Sequence, residues 1–204
     1  MESGLSDIAV SPSTPLTGDA DIESCIASVP EFYTIRGLFF SPLVAHLGDD
    51  FAKVSPKLCD PPASGRYLSL MSYSIRDHIR LIDTAACRLY PDCPNRQAHR
   101  LLGRTELENF RSTLLGRAVL SVIDDPGTLL LRYPEIFNVF TTGPEGQASR
   151  ESPSAIKIEL MSYFGSIEYQ IGVFEGFVMN FGFTSRIEVK QKAWDSWVFL
   201  VKWH

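Results

Sequence analysis

Along the chain the apolar positions change their period once, near Ala155. From Tyr67 to Leu89 they recur at helical spacing. At about 100° per residue, Tyr67, Met71, Ile75, His78, Ile82, Ala85 and Leu89 share one arc, with Arg76, Arg80 and Asp83 opposite. Pro91 and Pro94 end that helix and open another, in which Ala98, Leu101 and Leu102 are apolar. Its Arg96, Arg100 and Arg104 form a stripe at i, i+4, i+8 that reads as a solvated face. Gly103 reads as a C-terminal cap. Thr105-Glu106-Leu107-Glu108 then reads as a capping box, opening a helix that runs to about Ile123. The inward arc of this helix holds Leu107, Phe110, Arg111, Leu114, Ala118 and Val122. A shorter helix follows from about Gly127 to Phe140, before a Gly/Ser/Pro-rich turn.

Beyond that turn the period falls to two. Ala155 to Tyr163 alternates with Ile156, Ile158 and Leu160 on one face, and Ile187–Lys190 and Trp197–Trp203 are two more strands joined by a turn at 193–196. Ile167 to Phe181 lies between them and reads as a helix packed on the sheet. Near the start, Tyr33 to Phe40 is β-prone, and Ser41-Pro42 open a short helix that ends near Gly48. Helices first and strands later predict an α+β domain, its N-terminal and central helices packed on a C-terminal antiparallel sheet.

Residues 1–30 are rich in Ser, Asp, Pro and Thr with no sustained period, which predicts a disordered tail ahead of a single domain at 31–204. The 204 residues are 45% hydrophobic and 21% charged, ordinary globular values. A net charge of -5 leaves no electrostatic footprint for nucleic acid. No run approaches the roughly 18 consecutive apolar residues that a membrane-spanning helix needs. A basic segment followed by an apolar run is also missing from the N-terminus, so a cytoplasmic location is expected. Cys25, Cys59, Cys87 and Cys93 match no zinc or redox spacing and read as reduced thiols, with neither metal nor disulfide expected.

No nucleotide-binding, metalloprotease, nucleophile-elbow or EF-hand pattern occurs, and His46, His78, His99 and His204 are dispersed, so no enzymatic activity is expected. Two residues break the binary pattern, and such breaks are where function tends to sit. His78 stands in the middle of an apolar stripe. It reads as a core histidine held by a backbone carbonyl or hydroxyl, with a ligand contact and an axial metal ligand as the other two readings. Arg111 falls inside the apolar arc of its helix, where a guanidinium must be paired, either with an internal carboxylate or backbone carbonyls or with the anionic head of a ligand. Both are candidate ligand-binding residues.

Several short runs, in this order, resemble a paralogous family of unknown function found in myxobacteria. They are Ile35-Arg36-Gly37-Leu38-Phe39-Phe40, Leu89-Tyr90-Pro91, Leu102-Gly103-Arg104, Phe110 with Thr113, Gly116-Arg117, Gly172 to Gly176 and Trp203. That family is distantly similar to the fold group of TRAPP vesicle-tethering subunits, vinyl-4-reductase-type ligand domains and haem nitric-oxide-binding domains. The resemblance implies helices on one side of a twisted antiparallel sheet, with room for an apolar cavity between them. This chain departs from the group in two places. It has no cysteine after Cys93 for a C-terminal metal cluster, and Tyr73-Ser74-Ile75-Arg76 only approximates the haem group's Tyr-x-Ser-x-Arg. Zinc is therefore not expected, and haem would rest on His78 alone. The reading that follows is a non-enzymatic sensory or adaptor domain that binds a hydrophobic or amphipathic small molecule. The alternative is a homodimeric protein-interaction module whose core is filled by its own aromatic side chains.

Overall fold

The computed structural model describes residues 21–62 and 65–204. The first element is a helix, α1 (Ile22–Ser28), capped by the Asp21 carboxylate, which accepts from the Ser24 amide. Ile22, Ile26 and Val29 are buried in the main core, so the ordered domain reaches back at least to Asp21. The tail expected for 1–30 is corrected there. Two isoleucines at i and i+4 give the short helix an apolar edge, and Glu23 and Arg80 pair across it. The rest of that expected tail lies outside the described residues.

A short strand β1 (Thr34–Arg36) leads through a tight turn into α2 (Phe40–Leu47) and α3 (Phe51–Val54). It pairs antiparallel with β2 (Ser72–Ser74). The next helix, α4, runs from Ile75 to Leu89, not from Tyr67. Ser74 supplies its N-cap, accepting from the Arg76 amide, and the preceding residues are already committed to β2. Met71, placed by its phase on the buried arc, is accordingly 56% exposed.

Next come α5 (Asn95–Arg104), α6 (Glu106–Ser112) and α7 (Leu114–Leu120). The single helix expected from Thr105 to Ile123 is thus broken at Thr113, whose hydroxyl caps α7 by accepting from the Gly116 amide. The break resets the helical phase, leaving Leu114 79% and Val122 69% exposed. The capping box does not form. The Thr105 hydroxyl donates to the Leu102 carbonyl instead, and Glu108 faces Arg111. Helix α8 (Pro126–Phe140) is capped by Asp125 and has Pro at its first position.

A two-residue strand, β3 (Thr141–Thr142), pairs with β1 and completes a small sheet of order β2-β1-β3. The main sheet follows: β4 (Glu145–Ser152), β5 (Ala155–Met161), then β6 (Ser185–Ala193) and β7 (Ser196–Trp203), antiparallel throughout in the order β4-β5-β7-β6. Ile156, Ile158 and Leu160 turn to the core as their alternation predicts. Between β5 and β6 the chain forms α9 (Ile167–Met179), which with α8 covers the inner face of the sheet. Phe174 packs edge-on against Phe199 of β7, ring centroids 5.2 Å apart.

Helix α9 is buried nearly all round because α5 lies against its other side. Two glycines allow the approach. A Cβ on Gly103 would strike the Tyr169 carbonyl, and one on Gly172 the Arg100 carbonyl. Gly103 is therefore a contact residue inside α5, not a cap. No helix among the described residues is long and apolar enough to cross a membrane.

Candidate functional site

A cavity of about 130 Å³ lies between α4, α6, α8 and α9, with Ile35, Phe39 and residues of the segments 141–144 and 163–165 also in its wall. Each helix gives it the apolar side of its own pattern. Ile75, Ile79 and Ile82 come from α4, Leu107 and Phe110 from α6, Tyr133, Phe137 and Phe140 from α8, and Val173 and Phe177 from α9. Seven residues with polar groups interrupt this wall: His78, Glu106, Tyr133, Thr141, Tyr163, Tyr169 and Gln170. Among the described residues, no lysine or arginine lines it.

His78 sits where its arc places it, with its ring inside the core, packed against Phe40 at a centroid distance of 5.2 Å. The ring is hydrogen-bonded to the backbone of Phe39, while Nε2 has no partner among the described residues. Burial pushes its pKa down to about 4, against the pull of the Phe39 contact, so the imidazole is neutral at physiological pH.

Arg111 is elsewhere. It is not in the cavity wall, its side chain is 42% exposed, and it faces Glu108 one turn back at 3.4 Å. The expectation that it points inward beside His78 is corrected. Its predicted arc spans both sides of the Thr113 break, and within α6 the buried residues are Leu107 and Phe110.

Glu106 is the acidic group that sequence reasoning passed over. It looks like the second residue of a capping box, yet it lies one turn before Phe110 on the same side of α6, and that phase was the signal available. Its carboxylate accepts from the Tyr169 hydroxyl, and among the described residues no cation pairs with it. Burial raises its pKa to about 7, opposed only by the Tyr169 bond. Tyr133 and Gln170 bond to one another at 3.0 Å. Burial also pushes the phenols of Tyr133, Tyr163 and Tyr169 up, so they remain neutral donors.

The arginine stripe on α5 is not solvated throughout. Arg100 and Arg104 both bond to Glu175 on α9, Arg104 at 2.8 Å, and Arg100 also comes within 4.0 Å of Glu168. Burial would raise the Glu175 pKa, but the two guanidiniums outweigh it and hold the carboxyl below its usual range. Burial pushes the Glu168 pKa up, against the weaker pull of Arg100, which approaches to 4.0 Å, and of Arg96. These charges join α5 to α9 on the side away from the cavity wall.

The fold is similar to that of solved H-NOX domains. The chain aligns with an H-NOX protein from S. oneidensis in the Fe(II)NO ligation state at TM-score 0.65 and 16% identity, over 83% of this chain and 99% of that one. An unliganded Fe(II) H-NOX protein from K. algicida gives TM-score 0.62 at 12% identity, over 83% and 97%. A mutant of T. tengcongensis H-NOX gives 0.58 at 15%, over 82% and 94%. By sequence, residues 29–204 match the family described as protein of unknown function, DUF2378, and the chain belongs to it. No curated protein matches the sequence.

Proposed function

We propose that this protein is a non-enzymatic sensory or adaptor domain whose internal cavity binds a small apolar or amphipathic molecule. The observation that carries this reading is a cavity left open between four helices where the sequence had aromatic side chains in plenty to fill it. A space of about 130 Å³ is close to the roughly 150 Å³ engineered apolar cavity that stays dry and takes benzene or xenon. A fold shared with an H-NOX protein that holds NO on its iron supports the sensory half of the reading. The alternative, an interaction module with a self-filled core, sits poorly with that open space.

Haem, which the fold group implies, does not suit these residues. His78 Nε2 is unpartnered among the described residues and would serve as an axial ligand. The cavity, however, has the volume of one six-membered ring, far below a macrocycle of four pyrroles. Its wall offers haem's two carboxylates no cation among the described residues and one acid, Glu106. Arg76, the nearest match to the motif arginine, is spent outside the cavity on the Val29 carbonyl and Glu31.

Toluene tests the reading. It should raise the melting temperature of the full chain by a few degrees, because a ligand that binds only the folded state stabilises it by mass action. Ile79→Phe, which fills the cavity from α4, should lose that rise. An equal rise in both proteins, or none in the wild type, would refute a ligand in this cavity.

A further inference from the structure

Resting on that reading, we infer that the ligand carries a protonated amine, its ammonium seated against Glu106 and caged by the surrounding rings. Glu106 faces the cavity with one hydrogen bond, from Tyr169, although a carboxylate has about four acceptor positions. A carboxyl walled off from water without a cation is costly to ionise, so it either stays protonated or takes a partner, and an ammonium in the cavity would pair with its charged form. Nothing among the described residues does so here. His78 is neutral, and Tyr133 is engaged with Gln170.

The neighbouring walls suit a cation too. Tyr133, Tyr169 and Phe110 bring aromatic rings to the same cavity, and ring faces attract an ammonium ion by their quadrupole. Carboxylate and rings together would neutralise and enclose one ammonium at the end of an apolar tail. An anionic head would meet Glu106 as a like charge. An alcohol could donate to Glu106 but would leave its charge unbalanced.

The test uses three compounds of matched shape, 2-phenylethylamine, 2-phenylethanol and phenylacetate, titrated calorimetrically into the full chain at neutral pH. The amine should bind at least about tenfold tighter than the alcohol, and phenylacetate most weakly. Glu106→Gln keeps an acceptor for Tyr169 and should fold with an unchanged melting temperature. It should weaken the amine by about tenfold while leaving the alcohol within a factor of about two. Should the amine bind no tighter than the alcohol, or bind Glu106→Gln as well as wild type, the ammonium assignment is wrong and the cavity reading stands. If none of the three binds wild type, the ammonium assignment fails, and the toluene experiment decides whether the cavity reading stands.

Discussion

Gly172→Ala should destabilise the protein by about 3 kcal/mol or more, at or beyond the upper end of overpacking costs. Two effects of opposite sign compete at this position. Alanine in mid-helix is favoured over glycine by about 1 kcal/mol from backbone entropy and solvation. Against this, the added methyl would overlap the Arg100 carbonyl, a backbone atom that cannot rotate aside. Relief requires α5 and α9 to separate, which would open the contact around Leu102, Val173 and the Arg100–Glu175 bonds. The clash therefore wins. Urea unfolding followed by circular dichroism decides the sign, and a neutral or stabilising Gly172→Ala would mean the two helices do not touch as described.

Arg100→Met should cost about 3–5 kcal/mol, the range for removing one partner from a buried ion pair. Its side chain is 15% exposed and stands between two buried carboxylates, Glu175 and Glu168. Without it Glu175 retains Arg104, which is 38% exposed, and Glu168 only the more distant pull of Arg96 and His99. Glu175→Leu should cost less, because Arg100 keeps Glu168. The double variant should recover at least about 2 kcal/mol relative to Arg100→Met, the sign of a coupled pair. The pH dependence follows from the direction of the Glu175 shift. A carboxyl held below its unfolded value of 4.5 contributes stability above that pH and loses it as the pH falls through the folded value. Wild type should therefore lose this increment in acid, whereas Arg100→Met has little of it to lose. A cost below about 1 kcal/mol for Arg100→Met would make the cluster an ordinary solvated face.

Why some of this was legible in the sequence and some was not comes down to where the deciding contacts lie. Strand β5 announced itself because Ile156, Ile158 and Leu160 bury one face only. Strand β4, at the sheet edge and reading Glu-Gly-Gln-Ala-Ser-Arg-Glu-Ser, has no apolar alternation, and its pairing with β5 is what makes it a strand. The position of His78 was legible because α4 is one unbroken helix from Ile75, so its phase holds. That of Arg111 was not, since a single hydroxyl at Thr113 ends one helix and caps the next. The arginine stripe was visible as a face of α5, but its partner Glu175 lies 75 residues beyond Arg100, a pairing that no local period encodes.

The cavity itself follows from four helices meeting without quite filling the space between them, a property of packing and not of any one segment. A crystal structure of the full chain under xenon pressure tests it most directly, because xenon enters dry apolar cavities of this size without needing a polar partner. The account expects a xenon peak in contact with Ile79, Leu107 and Val173, lost in Ile79→Phe. Side chains closed over that space, with no xenon between α4, α6, α8 and α9, would contradict it.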